Sequence, residues 1–175
     1  MQIAQGLYLG GLISYPRTSS QKIPDAINPH AILKKLSEVF KETKFITKQK
    51  PIEGNKSDPA HPSIYPTGEI ESVSGEDSKI YNLIVKRFIS CLCDDAEIAS
   101  KKIVFETHDD KKRFLASGLE VKDKGWINVY PSSLQEVKLE DIEGEKTIEK
   151  SNIEEKETQP PKRYTEASII TELEK

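Results

Sequence analysis

The sequence predicts an α+β chain of more than one domain, with helices in its first half and antiparallel strands after them. Three patterns predict it. Apolar residues recur at helical spacing in residues 31–40 and 79–92. From about residue 97 the pattern changes to alternation, the period of a strand. Between the two helices, residues 47–77 hold four prolines and three glycines, a loop long enough in a compact domain to suggest function.

The elements follow in chain order. In residues 2–9, Ile3 and Leu7, with Ala4 and Tyr8 beside them, share one helical face, and Gly10-Gly11 stops that helix. Tyr15 precedes Pro16, so its backbone should be extended. A polar loop, RTSSQKIPDAINPH, leads to the helix of residues 31–40, whose apolar stripe is Ile32, Leu33, Leu36, Val39 and Phe40. The helix of residues 79–92 should face a core with Ile80, Leu83, Ile84, Phe88 and Leu92.

Alternation around Ile103 and Phe105, and again around Phe114, Ala116 and Gly118, predicts a hairpin with Asp109-Asp110 at its tip. Residues 126–130 should form a third short strand, opened by Gly125 and closed by Pro131. Residues 138–157 carry eight acidic residues and four lysines around scattered isoleucines. They suit a linker or an edge strand. After Pro160-Pro161, Thr165 should cap a last helix.

The 175 residues are 35% hydrophobic and 31% charged, with a net charge of −3. Residues 1–90 carry a net +3 and residues 91–175 a net −6, so only the first part is suited to an anionic partner. No apolar run nears the roughly 18 residues a membrane helix needs. The N-terminus lacks the pattern of a signal peptide. Cys91 and Cys93, in a CLC triplet, are too few for a disulfide framework or a closed zinc site. A cytoplasmic chain with reduced thiols, in contact with no membrane, is expected.

Residues 15–20, YPRTSS, put a phenol, a guanidinium and three hydroxyls in one short polar segment. A phenol attacks phosphorus if its proton is removed or shared, and the planar fork of Arg17 fits phosphate oxygens. In extended chain, positions 15 and 17 point the same way. The same residues also suit a plain turn with a half-buried tyrosine and a surface arginine. His61, in the long loop, could meet a phosphate near Tyr15 or hold a structural hydrogen bond. His30 and His108 have no comparable setting. Lys34, Lys35 and the lysines up to Lys56 suit phosphate contacts and a solvated face equally well.

Residues 3–20, IAQGLYLGGLISYPRTSS, resemble the active-site segment of type IA DNA topoisomerases in the form typical of archaeal topoisomerase I. The shared positions are Ala4, Gln5, Leu7, Tyr8, Gly11, Leu12, Ile13, Ser14, Tyr15, Arg17 and Thr18. The resemblance continues through AHPSIYPTG at His61, Ile64, Pro66 and Thr67, and through the helix IYNLIVKRFISCL and the pair Gly125-Trp126. It ends in PPKRYTEASIITELEK. Four such segments and the Gly-Trp pair, in family order over the whole chain, make it specific.

The resemblance implies that Tyr15 is the nucleophile forming a 5′-phosphotyrosine with single-stranded DNA. Arg17 would position Tyr15 and stabilise phosphate charge, and His61 would contact the phosphate. Thr18, Ser19, Ser20, Lys34 and Lys35 are candidate DNA contacts. Ser19 stands where bacterial members carry Asp, so no role of that carboxylate carries over. Pro16 stands where others have Met or His, and Pro62-Ser63 where many have Glu-Ala.

By the same resemblance, residues 1–93 correspond to the tyrosine-bearing domain without its first part. Residues 94–158 correspond to part of a β-rich arch, and residues 159–175 to the start of a gate domain that binds single-stranded DNA. The Mg²⁺-binding toprim domain has no counterpart here, so Mg²⁺ is expected on a missing segment, and this fragment alone should be inactive. The family activity is relaxation of negative supercoils, in the cytoplasm at the nucleoid. A non-catalytic nucleic-acid module has no use for a nucleophilic tyrosine, and a purely structural chain has none for the four ordered segments.

Overall fold

The computed structural model describes residues 2–58, 60–69 and 73–173. The chain divides into two compact units, residues 1–141 and 142–175.

Helix α1, Gln2–Leu9, is where the apolar spacing puts it, with Leu7 buried. Helix α2, Pro29–Leu36, starts earlier and stops sooner than the apolar stripe suggests. Asn28 sets its start, its side-chain oxygen accepting the Ala31 N–H at 3.2 Å, with Pro29 next to it in the first turn. Ser37 sets its end, donating its hydroxyl to the Lys34 carbonyl at 2.7 Å. The chain then turns, which buries Phe40 but leaves Val39 55% exposed rather than in the core. A 3-10 helix, Lys41–Phe45, follows.

Helix α3, Gly75–Ser90, is longer than the expected segment. Its buried stripe is Tyr81, Val85, Phe88 and Ile89. Ile80 and Ile84 flank that stripe, half-buried against it. Leu83, expected inward, is 41% exposed because the stripe centres on Tyr81 and Val85. With Leu12, Ile13, Leu33, Leu36 and Leu92, this stripe makes one continuous core. Phe40 meets Tyr81 edge-on at 6.3 Å, and the Tyr81 hydroxyl donates to the Glu69 carbonyl at 3.0 Å, so a buried phenol keeps a partner.

Strands β1, Glu97–Glu106, and β2, Arg113–Asp123, form the expected antiparallel hairpin. Its register pairs Ile103 with Ala116 and Phe105 with Phe114. Val137 adds a single bridge to Leu119, with N–H···O distances of 2.8 and 2.9 Å.

The expected third strand is not one. Residues Gly125–Asn128 form a 3-10 helix. Gly125 sits at φ +44° against the Asp94 and Asp95 carbonyls. The Trp126 N–H donates to the Asp94 carbonyl, and the Val129 and Tyr130 N–H groups turn back to Trp126. The apolar residues read as a strand are core contacts on a turn: Val129 is buried and Trp126 packs beside it.

In the second unit, residues 142–165 contain no helix or strand, so the edge-strand alternative fails beyond Val137. Helix α4, Glu166–Leu173, closes the unit. Thr165 caps it as expected: its Oγ1 accepts the Ser168 N–H at 3.2 Å, and its own N–H donates to Ser168 Oγ at 2.8 Å. Among the described residues no helix is long and apolar enough to cross a membrane.

Candidate active site

The site is built where the end of α1 meets the proline-rich loop. The Gly11 N–H donates to the Tyr8 carbonyl and the Leu12 N–H to the Leu7 carbonyl, each at 2.9 Å. This helix ending needs a left-handed residue, and Gly11 supplies it at φ +74°. The turn sends Leu12 and Ile13 into the core, both almost fully buried. Buried side chains on both anchor the next residues.

Residues 11–22 then run against residues 61–67. Ile13 bridges Pro66 in antiparallel sense. The Ser14 N–H donates to the Tyr65 carbonyl at 2.9 Å, and the Thr67 N–H to the Leu12 carbonyl at 3.0 Å. Side chains close the seam. The Ser14 hydroxyl donates to the Ser63 carbonyl at 3.1 Å and accepts the Tyr65 N–H at 2.9 Å. The Thr67 hydroxyl donates to the Gly11 carbonyl at 2.7 Å.

This seam puts the Tyr15 ring between two others. Tyr8, from α1, meets it edge-on with centroids 5.2 Å apart and planes at 73°. His61, from the loop, lies at 5.1 Å with planes at 34°. The second contact joins two of the three residues singled out for phosphate chemistry. The His61 carbonyl also accepts the Thr18 hydroxyl at 3.4 Å.

Beside His61 stands Asp58, whose Oδ2 is 3.5 Å from Nδ1 of the ring. Its Oδ1 accepts the Ala60 N–H at 2.9 Å. That N–H, and the His61 ring after it, hold the Asp58 carboxyl below the usual carboxylate range.

The other candidates are placed as follows. Arg17 and Ser19 are exposed on the segment after Tyr15. Thr18 Oγ1 accepts the Ser20 N–H at 3.0 Å, and Ser20, 7% exposed, accepts the Lys22 N–H at 3.2 Å. Both hydroxyls thus shape the turn. On α2, Lys35 is paired with Glu69 at 2.7 Å. Lys34 lines an open groove of about 680 Å³ with His30, Lys41 and Lys44.

Three residues of the site carried no sequence signal strong enough to assign them a role. Tyr8 looked like part of a helix face, Ser14 acts through partners distant in sequence, and Asp58 is a single acidic residue in a polar loop. Among the described residues, no group of three or more His, Cys, Asp or Glu side chains is arranged to hold a metal ion.

The arrangement offers a half-buried phenol, an imidazole ring beside it and an exposed guanidinium two residues on. That is equipment for meeting a phosphodiester. A family model described as DNA topoisomerase matches residues 1–175. A DNA topoisomerase 1 of Methanothermobacter thermautotrophicus is 40% identical over 181 residues, covering 99% of this chain and 25% of that protein. The DNA topoisomerase 1 of Pyrococcus horikoshii is 38% identical, covering 99% of this chain and 27% of that protein. Human DNA topoisomerase 3-alpha is 32% identical over all of this chain and 18% of its own length.

The full-length topoisomerase I of Thermotoga maritima shares the fold, with a TM-score of 0.70 and 28% identity over 99% of this chain and 30% of that one. The chain thus spans about a quarter of the length of its archaeal relatives. Matched over its whole length by that family model and by these relatives, the chain belongs to the type IA DNA topoisomerase family.

Proposed function

We propose that these residues carry the DNA-cleaving tyrosine of a type IA topoisomerase. The observation that carries this reading is the contact between the Tyr15 and His61 rings at 5.1 Å. In the proposed reaction the Tyr15 phenol oxygen attacks a backbone phosphorus of single-stranded DNA. A bond forms from that oxygen to phosphorus, the bond from phosphorus to the 3′ oxygen breaks, and the phenol proton leaves as the 3′ hydroxyl takes one up. The 5′-phosphotyrosine keeps the ester energy, so resealing after strand passage needs no ATP. The outcome is relaxation of negative supercoils.

Arg17 and His61 are assigned to the phosphate oxygens, where charge builds up during transfer. Ser19, Lys34 and Lys35 are assigned to the DNA backbone on either side. Thr18 and Ser20 act by holding the turn, as their hydrogen bonds suggest. Mg²⁺ would come from a toprim segment outside these residues, and gate segments would complete the single-strand site. In this reading residues 1–93 belong to the tyrosine-bearing domain, 94–158 to the arch and 159–175 to the gate domain. The enzyme would act in the cytoplasm, on the nucleoid.

The test is a chimera in which residues 1–175 replace the matching quarter of the Methanothermobacter enzyme. The chimera should relax negatively supercoiled plasmid and form a covalent DNA adduct. Tyr15→Phe should abolish both, and Arg17→Ala and His61→Ala should each slow adduct formation by about 10²-fold. The isolated chain should form no adduct. Relaxation that survives Tyr15→Phe would sink the proposal.

A further inference from the structure

We propose that Asp58 is a positioning residue that fixes which nitrogen of the His61 ring is turned to the DNA phosphate. This rests on the assignment of Tyr15 and His61 to the reaction. Three constraints converge on His61. Its ring lies against Tyr15. Its carbonyl accepts the Thr18 hydroxyl. Its Nδ1 faces the Asp58 carboxylate. The first two place the ring, and neither distinguishes its nitrogens. Only Asp58 does.

The carboxylate is itself held. Oδ1 is occupied by the Ala60 N–H at 2.9 Å, which leaves Oδ2 aimed at the ring. An ionised carboxylate only accepts hydrogen bonds, so Nδ1 must carry a proton to meet it. At 3.5 Å the pair is an ion-pair contact, longer than the roughly 2.7–3.2 Å of an N–H···O hydrogen bond. Catalytic hydrogen bonds are often long before substrate arrives and shorten in the complex.

With Nδ1 committed to Asp58, Nε2 is the nitrogen on the far side of the ring, available to another group. A phosphate oxygen is also an acceptor only. A ring between Asp58 and a phosphate therefore carries protons on both nitrogens, and the carboxylate offsets part of the imidazolium charge. In DNA-free protein the neutral ring is the Nδ1–H tautomer. Among the described residues, the titratable groups in contact with the ring are Asp58 and Tyr15. The logic is that of a carboxylate behind a metal-bound histidine, where the second partner sets ring orientation and tautomer.

The experiment is a long-range ¹H–¹⁵N correlation spectrum of the imidazoles in the ¹⁵N-labelled chain, without DNA. It is recorded about two pH units above the usual histidine pKa of roughly 6.5. Three histidines make assignment simple. The wild-type His61 ring should show the Nδ1–H pattern. Asp58→Ala should convert it to the Nε2–H pattern favoured by imidazole without a partner. Asp58→Asn, whose carbonyl still accepts, should keep Nδ1–H. The nuclear Overhauser contact between Tyr15 and His61 should persist in all three, as a control for folding.

A wild-type ring in the Nε2–H form would overturn the proposal even if no variant folds. So would an Asp58→Ala ring that keeps Nδ1–H. Either result leaves the Tyr15 assignment standing, because that is decided by Tyr15→Phe in the chimera. Conversely, a chimera indifferent to Tyr15 would remove the chemistry but not change the tautomer.

Discussion

Ser14 and Tyr65 are joined twice, although 51 residues separate them. The Ser14 N–H donates to the Tyr65 carbonyl, and the Ser14 hydroxyl accepts the Tyr65 N–H, both at 2.9 Å. The hydroxyl also donates to Ser63 at 3.1 Å. One side chain of two heavy atoms thus ties the tyrosine segment to the histidine segment, one residue from Tyr15.

Ser14→Ala should cost about 1–2 kcal/mol, because it leaves a half-buried backbone N–H without its acceptor. Urea unfolding measures the loss. The same variant should weaken the Tyr15–His61 ring contact in a nuclear Overhauser spectrum. An unchanged urea midpoint and an unchanged ring contact would show that the main-chain bridge alone holds the seam.

Gly125→Ala should be among the most damaging single methyl additions in the chain. A Cβ there would stand 2.4 Å from the Asp95 carbonyl oxygen and 2.6 Å from that of Asp94, and φ is +44°. Left-handed strain and backbone overlap together cost about 3 kcal/mol. For a chain of this size that lowers the melting temperature by roughly 6–12 °C. Calorimetry reads it directly, and a shift under 2 °C or so would mean that the turn relaxes freely.

Stability should carry a small acid-sensitive share from Glu42. Its carboxyl is held below the usual value by the hydrogen bond from Lys86, 2.9 Å away. A carboxyl depressed by folding stabilises fully above its unfolded value near 4.3 and loses that contribution as pH falls through the lower folded value. The pair is partly exposed, 36% and 28%, so water screens it to about 0.5 kcal/mol. Glu42→Gln should therefore be less stable than wild type at pH 7 and equal to it at strongly acid pH. A gap that persists in acid would place the effect in packing, not charge.

How legible this was in the sequence depended on the range of the forces involved. Helix α1, the hairpin and the Thr165 cap rest on local patterns, and the sequence shows them. Val39 and Leu83 were misplaced because a helix face is decided by where the helix stops and what it packs on, not by spacing alone. Trp126 was read as a strand residue because a short apolar run looks the same on a strand and on a buried turn. The hydrogen bond from its N–H to Asp94 lies outside the run itself.

In the site, Tyr15 and His61 were marked by their chemistry, and the structure brings their rings together. Asp58 was not marked, because one acidic residue in a polar loop is unremarkable until its partner is known. The seam between residues 11–22 and 61–67 is a long-range pairing, which no local pattern encodes.

That seam also sets when the two rings can meet. Its side-chain bonds join residues 43 to 56 positions apart. On a ribosome adding about 5–20 residues per second, Tyr15 emerges some seconds before His61. Closing a loop of some fifty residues costs about 3–4 kcal/mol of chain entropy, more than the weak contact between the two rings can offset. The seam can hold only once the hydrophobic stripe of α3 has arrived to bury Leu12 and Ile13. Until then the Tyr15 and His61 rings belong to separate stretches of nascent chain, and completion of the fold is what brings them together.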